Sequence, residues 1–111
     1  MDLLLEACDL ARGKHYVAAA SLAHIGVGHA MSDLAVAYRP DLKRFFAGKR
    51  LASFLRCEGV IDGKLSADLA AFASRAYQLK NTPTGKRSDV HTLIATAAKL
   101  RRRMRAIQRS L

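Results

Sequence analysis

The chain has 111 residues, half of them hydrophobic, and its 19 basic and nine acidic residues give a net charge of +10. This length is typical of one domain, so residues 1–111 are treated as a single unit; no run of about 18 apolar residues is present that could span a bilayer. The acidic N-terminus does not resemble a secretory signal, so we expect a cytoplasmic protein with Cys8 and Cys57 as free thiols.

Helix-forming residues dominate the sequence, and no segment alternates polar and apolar residues over a useful length. We therefore expect an all-α fold, a compact bundle of four to five helices. The first helix is predicted at 3–12, with Asp2 as its N-cap and Gly13 as its C-terminal stop. The second is predicted from about Lys14 to Tyr38. It is apolar almost all round, so we expect it to be buried on most sides.

Two glycines interrupt this long helix, and both disfavour it. Gly26 and Gly28 are expected where a neighbouring helix approaches closely. Three further helices are predicted at about 41–57, 67–80 and 89–109, the last two of them N-capped by the serine that precedes them. The expected caps are Ser66 and Ser88, and the expected buried stripes contain Leu42, Phe45, Phe46, Leu51, Phe54 and Leu55 in the third helix and Leu69, Phe72, Ala73, Ala76 and Leu79 in the fourth.

Positive charge is concentrated at the C-terminal end. From Lys80 onward there are nine basic residues and one acid, a net charge of +8, against +2 for the first 79 residues. At 100° per residue the apolar side chains of the last helix fall on one face, with the basic ones opposite or on the flank. The pattern predicts a helix that packs on the core and has a basic outer surface. The apolar face contains Val90, Leu93, Ile94, Ala97, Leu100, Met104, Ile107 and Leu111.

Several functions are compatible with a basic helix. A merely solvated face usually mixes Glu with Lys and Arg, because opposite charges four residues apart stabilise a helix. Binding to nucleic-acid phosphates explains the scarcity of acids, whereas membrane-surface binding would need a free apolar face, and an acidic protein partner is a further alternative. The aromatic residues Tyr38 and Tyr77 are isolated, which favours recognition of shape and charge over base readout. The expected phosphate contacts are Lys99, Arg101, Arg102, Arg103, Arg105 and Arg109, with Lys86 and Arg87 extending the surface.

Several segments resemble the HEPN superfamily of small helical domains. The stretch 11–20 contains a glycine turn followed by Tyr16, and His29 of the segment Gly28-His29-Ala30 lies thirteen residues after that tyrosine. Members of the superfamily often show this order, with Phe-His-Ala in the later position. The stretch 73–81 resembles the penultimate helix of the same superfamily. The resemblance spans nearly the whole chain, and it implies an HEPN-like bundle.

Many members of that superfamily are metal-independent ribonucleases with an Arg and a His that are separated by four to six intervening residues, a spacing that Arg87 and His91, with three, do not have. In such a pair the His moves a proton and the Arg neutralises charge on the phosphate. This chain departs from the pattern: Lys80 takes the Arg position, and 85–87 contains no His. Lys86 has the spacing to His91 but cannot offer the planar fork of Arg. We expect no catalysis; if the chain is an enzyme, the resemblance assigns the site to Lys80, Lys86, Arg87 and His91.

The remaining histidines give no metal pattern. His29 is expected to be a buried core residue, His24 to be buried or at an interface, and His15 to lie at a turn. Neither Cys has a second Cys or a His two to four residues away, and His24 and His29 are five residues apart, not the four of a helical metal pair. No phosphate-binding loop is present either, so no metal and no cofactor are expected.

Together these observations predict a non-catalytic RNA- or single-strand-binding subunit of a larger prokaryotic assembly, with a protein partner or a second copy and no membrane. The rivals are an HEPN-type ribonuclease toxin of a toxin–antitoxin pair, a small helical subunit of a CRISPR effector complex, and a protein–protein interaction module. All share the helical bundle, so its surface has to distinguish them.

Overall fold

The part of the chain that the structure describes contains five α-helices: α1 (Leu3–Arg12), α2 (Tyr16–Tyr38), α3 (Lys49–Cys57), α4 (Gly63–Asn81) and α5 (Arg87–Ser110). The computed structural model describes residues 2–41, 49–81 and 87–111, without the side chains of Lys49 and Arg87. Within these ranges there is no strand. The prediction of an all-α bundle is confirmed.

Helix α1 begins and ends at the predicted residues, whereas α2 begins later than predicted. Asp2 caps α1 by accepting a 2.9 Å hydrogen bond from the backbone N–H of Leu4, and Gly13 follows the last helical residue. Lys14, however, has a φ of +66°, a left-handed conformation that no α-helix contains. For this reason α2 begins at Tyr16, not at Lys14.

Helix α2 packs against each of the other four helices. Gly26 explains part of this arrangement, because a Cβ atom there would lie 3.3 Å from Leu4 Cδ2, where α1 crosses α2. The second predicted close approach is not found within the described residues, since a Cβ on Gly28 would meet nothing within 4 Å. The prediction that α2 is buried on most sides is wrong in part. Described residues of α1 and α4 do not touch each other, so the side of α2 between them is open, and it exposes Ile25 and Val36.

The N-cap of α4 lies four residues before the predicted cap. The carboxylate of Asp62 accepts a 2.8 Å hydrogen bond from the N–H of Leu65, so Asp62 takes the role expected of Ser66. Ser88 is likewise inside the first turn of α5, which begins at Arg87. The early part of the predicted third helix, with Leu42, Phe45 and Phe46, lies outside the described residues.

Two ion pairs show that α4 and α5 run antiparallel. Arg75 lies 3.1 Å from Asp89, whereas Arg103 lies 2.6 Å from Asp68, so later residues of α5 meet earlier residues of α4. The predicted apolar face of α5 is buried from Val90 to Met104, but Leu111 is 57% exposed because it lies beyond the end of the helix. The predicted stripes of α3 and α4 pack into the core where they are described: Leu51, Leu55, Leu69, Phe72, Ala76 and Leu79 are buried, Phe54 is half-buried against the core, and Ala73 is half-buried.

Candidate nucleic-acid interface

The outer surface of α5 holds four basic side chains without a counter-ion. Lys99, Arg102, Arg105 and Arg109 are all exposed, and no acid among the described residues pairs with them. Three of these residues follow one another at spacings of three and four, which brings them onto one side of the helix. We call Arg102, Arg105 and Arg109 the arginine row.

One flank of the row is neutralised by the N-terminus of the chain. Arg101 donates a hydrogen bond from Nη1 to Asp2 Oδ1 across 2.8 Å. The Arg101 side chain is only 21% exposed. The hydrogen bond from Arg101 is the main reason that the pKa of Asp2 lies below its ordinary value, with burial opposing the shift. Arg101 therefore has a fixed internal partner in addition to any external one.

The other flank is neutralised by α4. Arg103 donates a hydrogen bond to Asp68 Oδ2 at 2.6 Å, and both side chains are partly exposed. Of the six basic residues of α5 from Lys99 onward, two are thus held by acids from other helices. Among the described residues, the basic side chains of α5 that have no acidic partner therefore lie on its outermost face.

The row has the dimensions of a short stretch of nucleic-acid backbone. Its ends, Arg102 and Arg109, are seven residues apart, which on an α-helix is about 10 Å. A stacked strand that rises about 3.4 Å per nucleotide places about three phosphates over that length. The row also lies in the last turns of α5, where the helix dipole favours cations. The helix dipole accounts for positive charge near the end of α5, but it does not require the arginines to lie on one side of the helix.

A shallow cleft lies beside the same end of α5. Its volume is about 610 Å³, and it is walled by the α3–α4 connection and by Ile107. Its polar groups are Arg56, Asp62 and Arg103. The Arg56 guanidinium lies over the start of α4. A Cβ atom added to Gly63 would be 3.3 Å from its Nη2 atom. The cleft therefore adds Arg56 to the basic end of the molecule.

Of the residues that the ribonuclease resemblance assigned, the structure describes the side chains of Lys80 and His91. Lys80 Nζ lies 2.7 Å from Nδ1 of His24 on α2, so Lys80 donates and the imidazole accepts. Burial, followed by the charge of Lys80, lowers the pKa of His24, which keeps the ring neutral and able to accept. His91 is exposed near the start of α5. Lys86 and the side chain of Arg87 lie outside the described residues, so the site is only partly in view.

Of two further predictions about histidines, one is wrong and one is confirmed. His29 is exposed, so its assignment to the core is wrong; it lies on the open side of α2. His15 precedes α2 at the turn, as predicted. No cluster of three or more potential metal ligands occurs among the residues described. Of the helices that the structure describes, none combines the length and hydropathy needed to cross a bilayer.

Comparison with protein-family models, curated proteins and solved structures gives no match. The assignment of a function therefore rests on the surface described above.

Sequence reasoning missed the acids that neutralise part of α5. It identified Asp2 as a cap but could not show that Arg101, 99 residues away, reaches it. It gave no sign that Asp68, which lies within α4, pairs with Arg103. It also did not pair His24 with Lys80, which are 56 residues apart. In each case the signal depends on helix packing, which the spacing within one helix does not report.

Proposed function

We propose that this protein binds nucleic acid through the arginine row of α5, and holds the polymer without cutting it, as a subunit of a larger prokaryotic assembly. The observation that supports this function is the arginine row together with the neighbouring Lys99. All four side chains face outward, and no acid among the described residues pairs with them. Phosphates are the polyanion that such a line fits best, because arginine offers each phosphate a planar, bidentate fork.

RNA or another single strand is the proposed form of the ligand. The resemblance to the HEPN superfamily favours RNA. The exposed Tyr77 lies on α4 and not in the row, so no stacking platform accompanies the arginines. Binding through phosphates alone predicts weak sequence preference and a strong dependence on salt.

Holding is proposed over cutting because of what Lys80 does. Its ammonium group already donates to His24, and the chain offers no Arg in that position. A ribonuclease of the HEPN type needs a cation free for the phosphate and a His close to it.

The test is the binding of a labelled single-stranded RNA, measured by fluorescence anisotropy in EDTA. The row variant Arg102→Gln/Arg105→Gln/Arg109→Gln keeps helix propensity, since Gln and Arg rank close together. The matched control Lys14→Gln/Arg50→Gln/Lys64→Gln removes the same charge from exposed positions outside α5.

The proposal predicts that the row variant loses most of its affinity, while the control keeps nearly all of it. Equal losses in both variants would show that net charge, and not the row, attracts RNA. Absence of binding by the unmodified chain at low salt would refute the proposal. RNA cleavage by that chain, lost in His91→Ala, would refute the non-catalytic part.

A further inference from the structure

The cleft beside the C-terminal end of α5 has an apolar floor. Ile61 and Leu65 line it and are almost fully buried, and Val60 and Ile107, which are half-buried against the core, form its sides. Its volume of about 610 Å³ is in the range of small-molecule sites, which are mostly apolar with a few polar groups. The cleft therefore has the size and the lining of a site for a small, largely apolar group.

Hydrogen bonds hold both ends of the α3–α4 connection, which forms one wall of the cleft. After α3 the chain turns at Gly59, whose φ is +74°, and the N–H of Val60 donates to the carbonyl of Leu55 across 2.9 Å. Asp62 then caps α4 by accepting a 2.8 Å hydrogen bond from the N–H of Leu65. Because this wall is already ordered, a ligand that binds there loses little affinity to loop ordering.

The charged groups of the cleft nearly cancel each other. Arg56 shares the cleft with the carboxylate of Asp62, and Arg103 is held by Asp68. A phosphate in the cleft would meet a carboxylate as well as a guanidinium, whereas an uncharged base with a polar edge can use both. Arginine guanidinium groups also stack on the unpaired bases of single strands. The charges therefore favour a nucleobase over a phosphate as the occupant.

The cleft opens directly beside the arginine row. Ala106 lines the cleft and is exposed. It follows Arg102 by four residues and precedes Arg109 by three, and side chains at these spacings are neighbours on a helix surface. The short side chain of Ala106 leaves the cleft open toward the row. A strand whose phosphates lie on Arg102 and Arg109 therefore passes the mouth of the cleft.

We propose that the cleft receives one base of the bound single strand, turned out of the stack, while the arginine row holds the neighbouring phosphates. This inference rests on the proposed function and adds a second kind of contact to it. Among the described residues that line the cleft, none is aromatic and few are polar, so the site detects the presence of a base and not its identity. In a duplex the base would first have to be unpaired and unstacked, which favours single strands.

The test compares two labelled strands of equal length by fluorescence anisotropy: a single-stranded RNA, and the same strand with hydrogen in place of every base. Both carry the same phosphates, so the arginine row meets the same charge in each. The unmodified chain should bind the baseless strand about tenfold more weakly, because a held base contributes at least that factor in typical single-strand complexes.

The substitution Ala106→Leu isolates the cleft. Leucine is close to alanine in helix propensity, and the position is exposed, so the variant keeps α5 while its side chain fills the mouth. It should bind RNA about tenfold more weakly than the unmodified chain does, and the baseless strand equally well. The matched control is Ala95→Leu, at an exposed position of α5 that does not line the cleft. It should change neither affinity.

Equal affinities of the unmodified chain for the two strands would overturn this inference and leave the proposed function intact. RNA affinity that Ala106→Leu leaves unchanged, or that Ala95→Leu lowers as much, would also overturn it. If the unmodified chain binds neither strand, the proposed function fails, and this inference fails with it. Far-UV circular dichroism verifies folding; should Ala106→Leu not fold, the comparison of the two strands on the unmodified chain decides.

Discussion

Arg101 of α5 binds Asp2, the residue that caps α1, across 2.8 Å. One carboxylate thus holds the first turn of the first helix and the charge of the last helix. The contact joins the start of α1 to α5 and removes Arg101 from the set of unpaired cations. What remains on the outside of α5 is the arginine row.

Truncation of the shared carboxylate should reduce stability. Asp2→Ala removes the N-cap of α1, which is worth about 1 kcal/mol in typical helices, together with the contact to Arg101. Urea unfolding of Asp2→Ala, Arg101→Gln and the double variant measures the coupling between the two residues. The exposed pair Arg12–Asp9, at 72% and 73% exposure, is the control and should show a coupling of about 0–1 kcal/mol. Equal coupling free energies in the two pairs would show that the contact between Asp2 and Arg101 stabilises the fold no more than an exposed ion pair does.

Acidification should destabilise the protein through His24. Its pKa in the folded protein lies below the ordinary value of 6.5, first because of burial and then because of Lys80. The unfolded chain therefore binds a proton that the folded one resists, and the free energy of unfolding falls as pH drops below 6.5.

The substitution His24→Asn isolates that contribution. Its side-chain oxygen can still accept a hydrogen bond from Lys80, but it does not titrate. Unfolding in urea between about pH 7.5 and pH 5 should show a shallower loss of stability in the variant than in the unmodified chain. Parallel curves for the two proteins would exclude His24 as the titrating group.

Two residues with a positive φ, one a lysine and one a glycine, should respond in opposite ways to substitution. Lys14 has a φ of +66° and Gly59 a φ of +74°. Lys14→Gly relieves a conformation that L residues avoid, and should stabilise the fold by up to about 1 kcal/mol. Gly59→Ala creates the same strain in open space, where a Cβ meets nothing within 4 Å, and should cost about 1 kcal/mol.

Thermal unfolding measures both changes, and Lys14→Ala is the control, because it keeps the strained backbone and should be close to neutral. A loss of stability in Lys14→Gly would show that the Lys14 side chain matters more than its φ.

The sequence predicted the helices better than their surroundings. Periodic apolar residues located the inner face of α5 from Val90 to Met104, because a helix places side chains by spacing alone. The same method assigned His29 to the core and expected α2 to be buried on most sides, since an apolar helix gives no sign that one of its sides has no neighbour. Two helix starts were missed: α2 begins two residues after Lys14, which is left-handed, and the cap of α4 is the carboxylate of Asp62, four residues before Ser66.

The basic surface was predicted as a whole but not in its detail. The charge of α5 is visible in composition, yet the pairing of Arg101 and Arg103 depends on acids brought close by packing. Spacing within α5 treats all six cations alike. The structure divides them into two that hold the fold together and four that remain available to a ligand.

The salt dependence of RNA binding tests the central claim most directly. For a single strand, each phosphate contact contributes about −0.7 to the slope of log Kobs against log salt concentration. Replacing Arg102, Arg105 and Arg109 with Gln should therefore reduce the steepness of that slope by about 2, while the control that removes three charges elsewhere leaves it unchanged. A slope that is the same in the unmodified chain and in the row variant would contradict the assignment of these arginines to phosphate contacts.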